Sequence, residues 1–121
     1  MAMVELTLES FEASINGSNI VLVDFWAPWC GPCRQFAPVY ESMSERYPDV
    51  VFAKVNTDEQ RELAQHFQIR SIPTLMVFRE QIIVFSRPGI LPPAALADIV
   101  EKVGALDMDE VRKDIAEAEK A

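Results

Sequence analysis

The sequence predicts an α/β fold, because short runs typical of buried strands alternate with segments of helical periodicity. Two of these runs, residues 20–26 and 50–55, are almost entirely apolar and rich in β-branched residues, as in strands buried on both faces. Apolar residues at helical spacing follow the first run, from Phe36 to Tyr47. The chain has 121 residues, 50% of them hydrophobic, which is enough for one domain with a substantial core.

The N-terminal half is predicted to contain two strands and two helices. A first strand around residues 4–7 precedes a helix through Phe11 and Ile15. That helix should end at Asn16-Gly17, a sequence typical of helix C-termini. Pro28 ends the second strand, and the long helix begins shortly after it.

The second half is predicted to complete the sheet. After the strand over residues 50–55, Thr57 or Asp58 should cap a short helix. Two further strands are expected over residues 74–78 and 82–86. Pro92-Pro93 then opens another helix, since proline is tolerated where first-turn N–H groups have no helical partner.

The last part of the chain is predicted to form an additional helix. Asp107 and Glu110 have capping-box spacing at its start. A narrow apolar stripe follows, formed by Met108, Val111 and Ile115. We therefore expect a domain over residues 1–106 and a C-terminal helical extension over residues 107–121 that packs simply on the domain.

Charge and composition disfavour several classes of partner. The formal net charge is −8, and such a chain repels phosphate backbones and anionic lipid surfaces, so neither nucleic acid nor membrane is expected as a partner. Residues 1–5 lack a basic segment followed by an apolar stretch, and no apolar run approaches bilayer length. We therefore expect a cytoplasmic protein, and a monomer.

The chain's only two cysteines lie in Trp29-Cys30-Gly31-Pro32-Cys33, between the second strand and the long helix. A structural disulfide is disfavoured, because so short a ring stabilises by only about 2 kcal/mol, against about 3 for a fifteen-residue loop. A zinc site normally needs four ligands, and Cys30, Cys33 and His66 are the only Cys or His residues. A redox-active pair is the better interpretation.

The position of the cysteines predicts different roles for them. Cys30 should lie at the N-terminus of the long helix, where unpaired N–H groups favour a thiolate, so it is the candidate nucleophile. Cys33 lies one turn further in and should be more shielded. It would attack the mixed disulfide formed by Cys30 and release the reduced substrate.

Two charged residues interrupt the buried strands. Asp24 lies inside the apolar run before Cys30, where burial should raise its pKa toward neutrality and make it a candidate proton acceptor for the Cys33 thiol. Lys54 interrupts the other strand and could offset part of the desolvation cost of Asp24. The alternatives are an Asp24 that reaches solvent and a Lys54 that extends from a sheet edge.

The segment from Asp24 to Arg34, with Pro38 and Ile72-Pro73-Thr74, closely resembles the thioredoxin family over about residues 4–106. The resemblance implies a thioredoxin fold with a central mixed sheet of about five strands flanked by helices, here with an extra C-terminal helix. It also implies that Asp24 handles protons beside Lys54, and that Pro73 follows a cis peptide bond and positions substrate.

The same resemblance implies an apolar rim around Cys30 that binds disulfide-containing client proteins. Its residues are Trp29, Gly31, Pro32, Ile72, Pro73, Pro88, Gly89 and Ile90. The expected activity is protein disulfide reduction with no bound cofactor. An NADPH-linked flavin enzyme, thioredoxin reductase, would reduce the redox-active Cys30–Cys33 disulfide.

Two other functions fit the same residues. The chain could be a client-binding or assembly module whose dithiol is secondary, or a thiol oxidase or isomerase. Departures from the family pattern bear on partner choice: Ser71 precedes the Ile-Pro pair, and Arg87 enters the rim. The hairpin residues Glu80 and Gln81 replace the usual Asn-Gly turn and leave its geometry open.

Overall fold

The computed structural model describes residues 3–120 and confirms the α/β fold. The strands are β1 (Met3–Glu5), β2 (Ile20–Trp26), β3 (Val51–Asn56), β4 (Thr74–Arg79) and β5 (Ile82–Pro88). The helices are α1 (Leu8–Asn16), α2 (Gly31–Arg46), α3 (Arg61–His66), α4 (Pro93–Gly104) and α5 (Met108–Glu119). The extra C-terminal helix that the sequence predicts is therefore present as α5.

The five strands form one mixed sheet in the order β1-β3-β2-β4-β5. Strands β1, β3 and β2 run parallel to one another. On the other side of β2, β4 pairs antiparallel with β2, and β5 pairs antiparallel with β4. In the central strand β2, Asp24 lies opposite Lys54 of β3 and Leu75 of β4. The sheet thus places Asp24 in its middle rather than at an edge.

Helices cover both faces of this sheet. Leu22 of β2 packs in a core cluster with Phe36 of α2 and Leu96 of α4. Val23 belongs to a second cluster, which includes Ile15 of α1 and residues of α3. Because side chains alternate along a strand, Asp24 lies on the same face as Leu22, beneath α2.

Helix α3 begins later than predicted. Thr57 and Asp58 do not cap it, and its first residue is Arg61. Both residues belong to a turn instead: the side-chain oxygen of Asn56 accepts the N–H of Asp58 at 3.0 Å, and the Thr57 hydroxyl donates to the carbonyl of Trp26 at 3.0 Å. The Thr57 bond holds the β3–α3 connection against the end of β2, the strand that precedes the cysteines.

The start of α5 is anchored to the domain. Met108 is buried, and Asp107 caps the helix by accepting the N–H groups of the second and third residues that follow it. Arg112 donates to the Glu80 carboxylate at 2.6 Å, which ties α5 to the β4–β5 turn. Ile115 is 41% exposed, so the second half of the helix projects from the domain. The division of the chain at residue 106 stays a prediction.

The β4–β5 turn consists of two residues in left-handed conformations. Glu80 has φ 49° and Gln81 has φ 72°, the positive values for which Asn-Gly is normally used. The N–H of Glu80 donates to the carbonyl of Asn19 at 2.8 Å, and its carboxylate binds Arg112. These tertiary contacts hold a turn that the local sequence disfavours.

We expect the Gln81→Gly substitution to stabilise the protein by about 0.5–1 kcal/mol, because glycine adopts positive φ without the steric cost that glutamine incurs. Urea unfolding of the oxidised protein would measure the change in midpoint at constant slope. Gln81→Ala is the matched control, since it removes the side chain and keeps the strained backbone. A glycine variant no more stable than the alanine variant would contradict the prediction.

Candidate active site

The two cysteines lie where the sequence predicts, at the junction of β2 and α2. Cys30 is the N-cap residue of α2, and Cys33 is in its first turn. They form a disulfide, with their Cα atoms 5.2 Å apart. The N–H of Cys33 donates to the Cys30 sulfur at 3.2 Å, so the sulfur caps the helix.

This position favours negative charge on the Cys30 sulfur. At the start of α2 the peptide N–H groups lack helical acceptors, and the Cys33 N–H is aimed at the sulfur itself. When the disulfide is reduced, the same N–H stabilises a thiolate on Cys30. The Cys30 sulfur also lies 3.7 Å from the carbonyl oxygen of Ile72, which can accept a hydrogen bond from the neutral thiol.

Solvent exposure does not separate the cysteines as predicted. In the oxidised pair Cys30 is 4% exposed and Cys33 is 3% exposed. The reason is the capping geometry, which turns the Cys30 sulfur toward the helix and into a small cluster with Ala27 and Ile72. Helix position and hydrogen bonding, rather than exposure, distinguish the two sulfurs.

Asp24 is buried as predicted, and the solvent-exposed alternative is wrong. Its side chain is 1% exposed, and among the residues that the structure describes its Oδ1 atom has no hydrogen-bond partner. Burial raises the pKa of Asp24 from its ordinary value of 3.8 to about 7, while the charge of Lys54 opposes that rise and the charge of Glu5 adds to it. The site therefore contains a carboxyl group that exchanges protons near neutral pH.

Lys54 is the neighbour of Asp24 on the adjacent strand. It is half-buried and lies on β3, between β1 and β2, so it does not extend from a sheet edge. Its Nζ atom lies 4.2 Å from the centre of the Trp26 ring, where a cation–π contact holds it. The charge of Lys54 lowers the pKa of Asp24, against the larger effect of burial.

The loop before β4 lies against the cysteines. The peptide bond between Ile72 and Pro73 is cis. The carbonyl of Pro73 accepts the N–H of Gly89 at 2.8 Å, and the Thr74 hydroxyl donates to the Ser71 carbonyl at 2.6 Å. The Gly89 bond joins the loop to the segment that follows β5, and the Thr74 bond closes the loop itself.

The predicted rim residues differ in how much surface they present. Trp29 is 67% exposed, and its indole N–H donates to the Asp58 carboxylate at 2.9 Å, which fixes the ring beside Cys30. The other exposed members are Pro32, Pro88, Gly89 and Ile90. Gly31 and Ile72 are half-buried, and Pro73 is buried. The rim thus offers an apolar surface with one orienting tryptophan.

The sequence does not single out two groups that lie next to the site. The sequence indicates Asp58 only as a helix cap, and its bond to Trp29 could not be predicted because that contact depends on the tertiary fold. Tyr40 belongs to the apolar stripe of α2, yet its buried hydroxyl donates to the Ala53 carbonyl at 2.8 Å. Burial and the charge of Asp24 raise the pKa of Tyr40 well above its ordinary value, so it stays a neutral donor. The sequence signal for Tyr40 is a hydroxyl-bearing residue within an apolar helical stripe, because a buried hydroxyl needs a hydrogen-bond partner.

Two kinds of feature are absent from the described part of the chain. Over residues 3–120, no group of three or more Cys, His, Asp or Glu side chains is placed to hold a metal ion. Across the same range, no helix has both the length and the apolar character needed to cross a bilayer.

The chain matches known proteins over most of its length. The family model described as Thioredoxin matches residues 2–102. The chain belongs to the thioredoxin family. It is 59% identical to "Putative thioredoxin 2" of Streptomyces coelicolor over 114 residues, which cover 94% of this chain and 85% of that protein. It is 46% identical to "Thioredoxin 1" of Synechococcus elongatus over 99 residues, 80% of this chain and 92% of the relative.

Solved thioredoxin structures agree with the fold. A mutant thioredoxin from Halobacterium salinarum superposes with a TM-score of 0.81 at 31% identity, over 87% of this chain and 93% of that one. Thioredoxins are protein disulfide oxidoreductases that need no bound cofactor, and the Cys30–Cys33 pair is the redox group of such an enzyme. This chain is therefore a protein disulfide oxidoreductase, as the sequence predicts.

Proposed function

We propose that this thioredoxin-family protein reduces disulfides of client proteins in the cytoplasm and is itself reduced by an NADPH-linked flavin enzyme, thioredoxin reductase. The observation that carries the proposal is the Cys30 sulfur at the N-terminus of α2, with the Cys33 N–H 3.2 Å away. That geometry makes a reactive thiolate at one position and keeps a second thiol within bonding reach.

In the first step the Cys30 thiolate attacks one sulfur of a client disulfide. A new sulfur–sulfur bond forms between Cys30 and the client, the client disulfide breaks, and the second client sulfur leaves as a thiolate. The departing thiolate takes a proton from solvent. The N–H groups at the start of α2 stabilise Cys30 in the attacking form.

In the second step the thiol of Cys33 loses its proton to Asp24, whose pKa near 7 suits it as an acceptor at neutral pH. The Cys33 thiolate then attacks the Cys30 sulfur of the mixed disulfide. The Cys30–Cys33 bond forms, and the client leaves with its second thiolate, which takes up a proton. Two electrons have moved from the dithiol to the client.

The rim holds the client during these steps. The loop that contains Ile72 and the buried Pro73 lies beside Cys30. The N–H of Gly89 donates a hydrogen bond to the carbonyl of Pro73 in this loop. An extended client segment can pair with the backbone at Ile72 while its side chains contact Trp29 and Pro32. A mostly apolar surface of this kind suits exposed or loop-borne disulfides of many proteins rather than one small ligand.

A coupled assay tests the proposal. With NADPH, a bacterial thioredoxin reductase and insulin as the disulfide substrate, we expect catalytic oxidation of NADPH that depends on this protein. Scrambled ribonuclease and reduced ribonuclease serve as substrates for isomerase and oxidase activity. Efficient thiol oxidation or reshuffling without insulin reduction would overturn the proposal, and so would client binding without turnover.

A further inference from the structure

Three charged residues lie in one row across the first three strands of the sheet. Glu5 of β1 is paired in register with Lys54 of β3, and Lys54 is paired with Asp24 of β2. Lateral neighbours in a parallel sheet project from the same face. On this face of the sheet, Lys54 therefore occupies the position between Glu5 and Asp24.

Trp26 connects two members of this row, Glu5 and Lys54. Its indole N–H donates to the Glu5 carboxylate at 3.2 Å, and Lys54 Nζ lies 4.2 Å above its ring. Glu5 is exposed, Lys54 is half-buried and Asp24 is buried, so the row runs from solvent to the interior. Glu5 thus holds the aromatic ring on which the ammonium of Lys54 rests.

The elements packed around Asp24 contribute different side chains. Lys54 of β3 supplies the positive charge, and Glu5 of β1 supplies a second negative charge. Leu75 of β4 is apolar, and Tyr40 of α2 is neutral. The proton affinity of Asp24 therefore depends, besides its burial, on the balance between Lys54 and Glu5.

We propose that Glu5 is a positioning residue for disulfide exchange, which anchors the Trp26 ring beneath the ammonium of Lys54 and, through its own charge, keeps Asp24 able to accept the proton of Cys33. The proposal rests on the role of Asp24 as the proton acceptor for Cys33. Without the charge of Glu5, the ionised form of Asp24 would lose a source of repulsion while Lys54 still stabilises it, and Asp24 would become a weaker base. An edge-strand carboxylate would then set the pH range in which Cys33 is activated.

The first test is the titration of Asp24 in the oxidised protein, followed by the NMR signal of its carboxyl carbon. The Glu5→Gln variant keeps an oxygen that can accept the Trp26 N–H and loses the charge. We expect the pKa of Asp24 to fall by about 0.5 unit, and the difference to shrink in about 1 M NaCl, because Glu5 is exposed to salt screening. The matched control is Glu12→Gln, an exposed carboxylate on α1 with the same change in net charge.

The second test is the pH dependence of the resolving step, measured as release of client from a preformed mixed disulfide on Cys30. For Glu5→Gln we expect the acid limb of the rate profile to move to lower pH by the same amount as the pKa. Glu5→Asp keeps the charge and should behave as the parent protein. A pKa that changes no more than in Glu12→Gln would overturn the proposal, as would an acid limb that does not move.

A further variant, Asp24→Asn, separates this proposal from the one on which it rests. If Asp24→Asn leaves the rate profile unchanged, the proposed role of Asp24 as proton acceptor fails, whatever Glu5 does. If Asp24→Asn removes the acid limb and Glu5→Gln leaves it in place, the inference about Glu5 alone fails. Thermal unfolding of each variant checks that the fold is retained.

Discussion

Replacing Cys30 with serine should abolish insulin reduction, with a loss of more than about 10³-fold in turnover. A serine hydroxyl at the N-terminus of α2 keeps the helix cap, because its oxygen can accept the Cys33 N–H that now binds sulfur. It has no accessible anion at neutral pH and forms no sulfur–sulfur bond. The fold should survive while the chemistry stops, and the coupled NADPH assay measures the loss.

Cys33→Ser is the matched partner of this variant and should fail at a later stage. Cys30 still attacks the client, but no thiol is available to break the mixed disulfide, so the covalent complex accumulates. Intact-mass analysis would detect the protein joined to its client, and reductant would release both. Accumulation of the complex in Cys30→Ser instead of Cys33→Ser would reverse the proposed roles, and normal turnover in either variant would contradict the mechanism.

The elements that position the dithiol could be predicted because their signals are local. An unbroken apolar run defines β2, Pro28 ends it, and helical spacing from Phe36 defines α2. The positions of the cysteines between β2 and α2 follow from these boundaries, without knowledge of the rest of the fold. Asp24 was predictable for a related reason, since a carboxylate within a strand buried on both faces cannot easily avoid desolvation.

Other features depend on contacts between distant segments, and the sequence does not reveal them. Glu80 and Gln81 adopt positive φ because Asn19 and Arg112 hold the turn. Helix α3 begins late because the Thr57 hydroxyl donates to a β2 carbonyl instead of capping a helix.

The row of charges has the same origin. Strand register decides that Glu5 lies beside Lys54, and periodicity along one strand carries no information about register with another. The nearly equal exposure of the two cysteines likewise reflects packing against Ile72, far along the chain.

The pH dependence of stability should expose the cost of keeping Asp24 in the core. Asp24 has a pKa of about 7 in the folded protein and 3.8 ordinarily, so between these values the folded state binds a proton that the unfolded state has lost. The free energy of unfolding must then fall as pH rises through this range. The difference between the two pKa values corresponds to a loss of about 4 kcal/mol in the free energy of unfolding. Well below pH 3.8 Asp24 is protonated in both the folded and the unfolded state, so this loss is absent there.

Asp24→Asn should therefore be more stable than the parent protein at pH 8, by up to about 4 kcal/mol, and close to it at pH 4, where little of the penalty has developed. Urea unfolding of the oxidised proteins at the two pH values measures the difference, and the disulfide keeps the cysteines from titrating. Asp49→Asn, at an exposed loop position, is the control and should show no such pH-dependent gain.

The amide leaves Lys54 without its buried partner, but this costs little, because Lys54 is half-buried and remains in contact with the Trp26 ring. If Asp24→Asn is more stable than the parent protein but loses the resolving step, Asp24 is unfavourable for folding and needed for proton transfer. Removal of a purely structural carboxylate should not produce both effects. An Asn variant that is less stable at pH 8 than at pH 4, relative to the parent, would mean that Asp24 is ionised and well solvated in the folded protein. The proton-acceptor role would then lose its physical basis.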